Sequence, residues 1–549
     1  MKIALVAINA KYIHSSLAVR SLYAYLSPEE KQHVQIKEFT VNQSEDLIVS
    51  ELFALKPNVI AFSCYIWNIE MIKSLVQIFK KILPDTKIIV GGPEVSYEDE
   101  LANDFINAID ILIAGEGEQA FKSLVQEMTN ETVPANCTQL VENIDQLGLL
   151  PLEHIPFPYE NGFHDFKHRI IYYESSRGCP FSCGFCLSSA TQGVKFLPLN
   201  RVKEDLSKFL TAKIDDAKIR QIKFVDRTFN CNKKHAMDIW SYLIQNDNGI
   251  TNFHFEISGA LLDDEMINLI GQARKGLFQF EIGVQSTNPA TLEAINRKMD
   301  SQNQQKLFEN IKKLKSLGNV HLHLDLIVGL PYEDYDAFIK SFNDVMACNP
   351  HQLQVGFLKL LKGSQLKKDA KKYGVQYKNH PPYEILTNNF MNFETINKLK
   401  KIEHMVELFY NTGGYKSFIK FMLQKFNTPF DFFNSLAMFW EANDYHKLAH
   451  KKGALYTILY EFGIKKFPSD NMTICELLKF DMLTKENLRT FPSWISSYYQ
   501  YDVKQISKTT AIHTFEYDIC TWLKQNSTKL QKRKTEITFE YKGANNDNH

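Results

Sequence analysis

The sequence predicts an α/β protein in three parts. A doubly wound, Rossmann-like domain spans 1–145, a linker spans 146–169, a partial (β/α)6 barrel spans 170–364, and a mainly helical domain spans 365–549. Three observations predict this. Apolar runs bounded by turns alternate with helical patterns before residue 130, and again from 170 to 360. Runs that do not alternate with polar residues are strands buried on both faces, hence parallel sheets covered by helices. A cysteine-rich loop at 176–186 follows the first strand of the second α/β region. Beyond 365 helical patterns dominate, with aromatic groups and recurring lysine pairs.

Composition narrows the class. At 549 residues the chain is too long for one ordinary core. With 44% hydrophobic and 23% charged residues it reads as a soluble globular protein. The formal net charge of zero gives no bulk attraction to nucleic acid or to anionic membrane. No apolar run approaches the ~20 residues needed to span a bilayer. Met1-Lys2 leads straight into a strand-like run, so no signal peptide is expected. Most of the nine cysteines are scattered, which fits a reducing cytoplasm better than a disulfide framework.

The expected strands of the first domain are 2–8, 34–40, 58–63, 87–91 and 110–115, with helices such as 15–26 and 69–83 between them. A doubly wound sheet binds its ligand at the carboxyl ends of its strands. Those ends carry Ser15, Tyr65, Trp67, the run Gly91-Gly92-Pro93-Glu94, and the run Gly115-Glu116-Gly117-Glu118. Glycines there let a backbone approach a ligand closely, although a lone Gly-Gly is also an ordinary tight turn. The barrel strands are expected at 170–174, 221–225, 252–257, 278–283, 321–328 and 352–357, with a site on the loops at their carboxyl ends.

The loop after the first barrel strand holds Cys179, Cys183 and Cys186, with three and then two residues between them. Thiolates suit zinc or iron–sulfur clusters. A structural zinc site takes four ligands, and ferredoxin clusters take four cysteines. The next cysteine, Cys231, lies beyond a predicted helix and strand. Three thiolates on a 4Fe–4S cubane leave one iron open for chemistry; a zinc knuckle with a distant fourth ligand is the alternative.

This spacing, with Phe185 directly before the last cysteine, resembles the signature of the radical S-adenosylmethionine (radical SAM) superfamily. The resemblance implies a 4Fe–4S cluster whose open iron is chelated by S-adenosylmethionine. It also implies an electron donor of flavodoxin or ferredoxin type, and reductive cleavage to methionine and a 5′-deoxyadenosyl radical. Further segments match the family and imply contacts to S-adenosylmethionine. They are Asp226 after the second barrel strand, Glu281, Gln285 and Ser286 on the fourth, and Arg297 on the next helix. Asp325 and Gly329 lie in the run Asp-Leu-Ile-Val-Gly-Leu-Pro, and Leu358 follows the sixth strand. Arg227 stands where the family often has a second aspartate. Each has a plainer reading, such as a loop carboxylate paired with an arginine or a sheet-edge polar group.

Gly-Gly-Pro-Glu and then Gly-Glu-Gly-Glu, ahead of such a barrel, resemble the cobalamin-binding domain of class B radical SAM enzymes. The resemblance implies that cobalamin lies over Ser15, Tyr65, Trp67, Gly91 to Glu94, and Gly115 to Gly117. Residues 1–150 contain no Asp-x-His-x-x-Gly motif, and His14 reads as a surface or capping histidine. Bound cobalt is therefore expected to lack a histidine on its lower face. The Pro-rich segment 147–159 resembles the family's entry segment and is taken as a linker without a ligand role.

Taken together, the resemblance implies a cobalamin-dependent radical SAM methyltransferase acting on an unactivated carbon. Ring contraction, cyclisation or another rearrangement with the same cofactors is the alternative, and a non-catalytic cobalamin- or RNA-binding sensor is a third. A methylthiotransferase is disfavoured because the first domain holds only Cys64 and Cys137 in place of three cluster cysteines. No membrane or nucleic-acid partner is expected, and the substrate is not legible. The third domain should cover the barrel mouth or recognise substrate, and its polar end, 532–549, is expected to fray.

Overall fold

In the computed structural model the described residues are 1–97, 103–130, 139–142, 150–189, 193–297, 299–486, 491–496, 503–507, 509–525 and 529–541. Cys137, linker residues 146–149 and the tail from 542 lie outside them. The chain divides into two compact units, one of residues 1–335 with 356–393, the other of residues 336–355 with 394–549.

The first unit begins with a parallel sheet. Its strands are β1 (Ile3–Asn9), β2 (Val34–Thr40), β3 (Val59–Ser63), β4 (Lys87–Gly91), β5 (Ile111–Ala114) and β6 (Gln139–Glu142). Their order is β2-β1-β3-β4-β5-β6. All seven residues of β1 are buried. Ile3, Leu5 and Ala7 enter one core with Val19, Phe121 and Leu124, while Ala4, Val6 and Ile8 enter the other with Ile48, Leu52, Leu75 and Phe79. One strand therefore feeds two cores, the signature of a doubly wound sheet. The order reverses between β1 and β3, so the crevice for a ligand opens at their carboxyl ends. Strand β6 was not expected; it is four residues long, too short for a pattern to stand out.

The second sheet of this unit holds β7 (Ile171–Tyr173), β10 (Gln221–Phe224), β11 (Asn252–Glu256), β12 (Phe278–Gln285) and β13 (His321–Val328), paired in parallel in chain order. A short hairpin, β8 (Ser176–Gly178) with β9 (Val194–Phe196), sits between the first two. The sixth expected strand forms at Gln352–Phe357, across the division between the units. Along β12 the burial strictly alternates. Phe278 and Phe280 turn outward to Trp240 of the helix Lys233–Gln245, with Phe280 at 5.7 Å between ring centroids. The residues between them, Gln279, Glu281, Gly283 and Gln285, face the other way and stay partly accessible. The lumen is therefore polar and the outer face aromatic.

The second unit is helical and also carries an antiparallel sheet, Val503–Ser507, Thr510–Tyr517 and Lys532–Glu540. The last strand corrects the expectation of a frayed end. Its residues are mostly exposed and charged, and only Phe539 is buried, against Phe515 and Phe480, so in sequence it looks like a solvated tail. The helix Asn471–Leu483 is central, with every residue from Thr473 to Leu483 buried. Asp481 on it accepts from the backbone N–H groups of Ser417 and Phe418, both at 3.0 Å.

Burial pushes the Asp481 carboxyl up to about 7, against those hydrogen bonds. The native state therefore binds this proton more tightly than the unfolded chain, and the stability it gives is lost as pH rises through about 7. Asp481→Asn has no such proton to lose. Relative to wild type, the variant is expected to gain stability as pH rises from about 4 to about 7, by a few kcal/mol in all, read from denaturant unfolding at each pH.

Candidate active site

The cysteine loop leaves the carboxyl end of β7. Hairpin β8–β9 pins its root, and Gly178, at φ 103°, must be glycine because a Cβ would come within 2.3 Å of the Gly193 carbonyl oxygen. Beneath the root, Asp226 is fully buried. Its Oδ2 accepts from the Ser175 backbone N–H at 3.0 Å, and its Oδ1 from the hydroxyls of Ser175 at 2.6 Å and Ser176 at 2.5 Å. Burial pushes this carboxyl up to about 7. Asp226 was expected to contact S-adenosylmethionine; with no exposed surface and both oxygens engaged, it supports the loop from below instead.

Cys179, Cys183 and Cys186 are all free thiols. Burial pushes the Cys183 thiol up, Arg297 draws it back, and Cys186 and Cys179 add to the rise. The three sulfurs therefore share one neighbourhood, yet among the described residues no group of three ligating side chains closes on a single metal ion. Gly184 donates its N–H to the Ile295 carbonyl at 2.8 Å and accepts from the Leu366 N–H at 2.8 Å, which fixes the loop's outer turn. Phe185 is half-buried within that turn. Cys231, distant in sequence, comes within electrostatic reach of Cys179.

Arg297 stands beside the loop. Its Nη1 lies 3.8 Å from Cys183 Sγ, and its Nη2 donates to the Gly283 carbonyl. Its Nε is buried without a hydrogen-bond partner, as is Oε1 of Gln285. Gln285 closes β12 at φ 70°, where the pairing register with β13 shifts. Ser286 donates its hydroxyl to Glu333 at 2.6 Å. Gly329, at φ 86°, lies under Ile385, which a Cβ would meet at 2.8 Å. Leu358 is buried, and its N–H reaches the Val328 carbonyl at 3.0 Å.

Deeper in the lumen, Lys223 Nζ sits 3.0 Å from Glu281 and 3.4 Å from Glu256. His254 Nε2 approaches Glu281 to 3.1 Å, though not along a hydrogen bond. Burial works against the Glu281 anion, but the His254 imidazole and Lys223 hold its carboxyl well below the usual range. Asp325 is the opposite case: burial, then Glu281 and Glu256, push its carboxyl well up. His323 Nε2 lies 3.2 Å from Asp325 Oδ1.

The loops of the first sheet complete the picture. Tyr65 and Trp67 stack at 4.4 Å with planes 5° apart, and the Trp67 indole donates to the Ile8 carbonyl at 3.0 Å, tying the loop after β3 to the end of β1. Trp67 is 46% exposed. Gly92, at φ 114°, packs on the Cys64 carbonyl oxygen, 2.6 Å from where a Cβ would stand. Gly91 is half-buried, Pro93 exposed, Gly115 lies at φ 80°, and Gly117 packs on Leu22. Ser15 donates its hydroxyl to the Ile170 carbonyl at 2.8 Å. His14 Nδ1 lies 2.6 Å from the Tyr172 hydroxyl. The carboxylates of these loops turn to the barrel: Glu94 accepts from Tyr383 and meets Lys362 at 3.1 Å, and Glu116 meets Lys195 at 2.7 Å.

Comparison with known proteins agrees with this geometry. Residues 3–125 match the B12 binding domain and residues 173–345 the radical SAM superfamily. The chain carries both domains. Residues 371–499 match a protein family of unknown function, DUF4080. The cobalamin-dependent radical SAM methyltransferase TokK of Streptomyces tokunonensis is 26% identical over 59% of this chain and 50% of its own length, so the chain spans about half of that relative. An uncharacterized methyltransferase of Pyrococcus horikoshii, PH0819, is 23% identical over 73% of this chain and 87% of its own. The structure of the cobalamin-dependent S-adenosylmethionine radical enzyme OxsB with aqua-cobalamin bound superposes with a TM-score of 0.59 at 14% identity, covering 88% of this chain and 79% of that one.

The cofactors of these two domains are a 4Fe–4S cluster, S-adenosylmethionine and cobalamin, and the residues present fit them. Three free thiols on one loop suit an iron–sulfur cluster, which cysteine thiolates hold. Gln285 Oε1 and Arg297 Nε are buried polar atoms left for a ligand. The loop after β3 offers the stacked Tyr65–Trp67 pair, with Trp67 exposed, at the switch point of the sheet. Lys195, Lys223 and His254 carry no mark in the sequence, and Arg177 stands in the cysteine-rich stretch without an assigned role; only the fold brings them to the site.

Removing the Asp226 carboxylate leaves the Ser175 N–H and two hydroxyls unpaired under the loop. Asp226→Ala is expected to cost about 2–3 kcal/mol in unfolding free energy and to lower the iron retained after reconstitution. Asp226→Asn, which keeps an acceptor, loses less of both.

Proposed function

We propose that the protein is a cobalamin-dependent radical SAM methyltransferase that acts on an unactivated carbon. The observation that supports it best is that the corrin-side loops and the cysteine loop meet within one compact unit. Arg177, just ahead of Cys179, meets Glu118 at 2.7 Å, and Lys195 meets Glu116 at 2.7 Å. Two cofactors held on loops joined in this way face one reaction space. When bound, the cluster with S-adenosylmethionine supplies the hydrogen-abstracting radical, and cobalamin supplies the methyl group.

The chain's own residues hold and orient. Cys179, Cys183 and Cys186 take the cluster. Arg297 would take the methionine carboxylate, a planar anion that a guanidinium fork suits. Gln285, with Glu281 behind it, receives hydroxyl or amine donors. The Gly329 backbone, Leu358 and Phe185 would shape the adenine side, Ser286 is set by Glu333, and burial raises the Asp325 carboxyl well above its ordinary range. Ser15, Tyr65, Trp67, Gly91, Gly92, Pro93, Glu94, Gly115, Glu116 and Gly117 would form the corrin side. The electron comes from a flavodoxin- or ferredoxin-type donor, in the cytoplasm. Among the described residues no helix is long and apolar enough to cross a membrane.

Anaerobically reconstituted protein with reductant is expected to cleave S-adenosylmethionine, and Cys183→Ala to fall to the rate of a protein-free control. Wild type that cleaves none, or a variant that cleaves as well, sinks the reading. Products formed in an anaerobic extract should gain one methylene equivalent by mass; an unchanged mass points to rearrangement instead. Protein purified with cobalamin supplied should show corrinoid bands beside the broad iron–sulfur absorbance.

A further inference from the structure

The acidic side chains of the two corrin-side loops all reach across to barrel cations. Glu94 meets Lys362 at 3.1 Å and accepts from Tyr383, and all three side chains are buried. Glu116 meets Lys195 at 2.7 Å and Arg177 at 3.5 Å. Glu118 meets Arg177 at 2.7 Å. These cations come from two places only: the hairpin that roots the cysteine loop, where Arg177 pairs with Lys195, and the segment after Leu358 on the adenine side. Arg177 is the hub. It also holds Glu174 at the end of β7 by two hydrogen bonds, of 3.0 and 2.8 Å. With 22% of its side chain exposed and Glu118 at 7%, the contact is poorly screened and sensitive to geometry.

We propose that Arg177 is a positioning residue that couples the two cofactor sites, so that filling the S-adenosylmethionine site tightens the binding of cobalamin. The proposal rests on the function given above and deepens it. A corrin laid on the Gly115-to-Glu118 loop orders that loop. Through Glu116 and Glu118 it also orders the guanidinium that stands ahead of Cys179, so the second ligand meets a loop already set. A planar fork bridging three carboxylates transmits orientation, which a single ammonium does not. Coupling of this kind is reciprocal, and its usual size is about 5–150-fold in affinity.

The test is a binding measurement on the full chain. The cluster is reconstituted and kept oxidised, so that S-adenosylmethionine is not cleaved. Hydroxocobalamin affinity is read from absorbance with and without S-adenosylmethionine. Wild type is expected to bind hydroxocobalamin at least about fivefold more tightly with S-adenosylmethionine present. Arg177→Gln is expected to bring that ratio close to one while iron content is retained, with Arg177→Lys in between. Glu118→Gln is nearly isosteric and carries the test if Arg177→Gln fails to fold; it should lower the ratio too, and the double variant should lower it no further. A wild-type ratio of one overturns the proposal, as does a variant that weakens both affinities equally and leaves the ratio intact. Wild type that binds no cobalamin at all sinks the proposed function itself, and this arm separates the two failures.

Discussion

A single buried carboxylate underlies the site. Asp226 has no exposed surface and would be costly to bury alone, but a backbone N–H and two hydroxyls surround it. By fixing Ser175 and Ser176 it fixes the start of hairpin β8, and so the positions of Arg177, Gly178 and Cys179 in turn. The orientation of the first thiol and the bridge to the first domain thus descend from one hydrogen-bond cage. His235 extends that cage to the helix Lys233–Gln245, 3.4 Å from the Ser175 hydroxyl.

The barrel separates its two faces with unusual consistency. Ile222, Phe224, Phe253, Phe255, Phe278 and Phe280 are fully buried, with Phe255, Phe278 and Phe280 against Trp240. Lys223, Glu256, Glu281 and Asp325 face the lumen. Three carboxylates stand there against one ammonium. Burial works against all three anions: His254 and Lys223 still hold Glu281 below its usual range, whereas burial pushes Glu256 up and Asp325 well up, with Glu281 adding to both rises. A lumen built in this way tolerates water and polar groups and rejects hydrocarbon.

The fold was largely legible, because strands buried on both faces leave continuous apolar runs that survive in sequence, as in β1 and β3. The three cysteines were legible for another reason: their spacing is local. What was not legible depends on distance along the chain. Glu94 and Glu116 sit in loops that resemble a corrin cradle, yet their carboxylates bind cations, and Glu94 finds Tyr383 across 289 positions. Asp226 looked like a ligand contact because its motif lies at a strand end, and only burial shows that it faces inward. The closing sheet of the second unit was hidden by charge: eight of the nine residues of its last strand remain accessible to solvent, so nothing in the pattern marks an inside.

One further feature carries its own consequence. The chain has five tryptophans; Trp240, Trp440, Trp494 and Trp522 are buried, while Trp67 stands 46% exposed on the loop after β3. A dissolved quencher therefore reaches Trp67 before the others. A strongly coloured ring resting on that indole would dim its emission selectively, giving the protein an intrinsic fluorescent gauge of what lies on its first sheet.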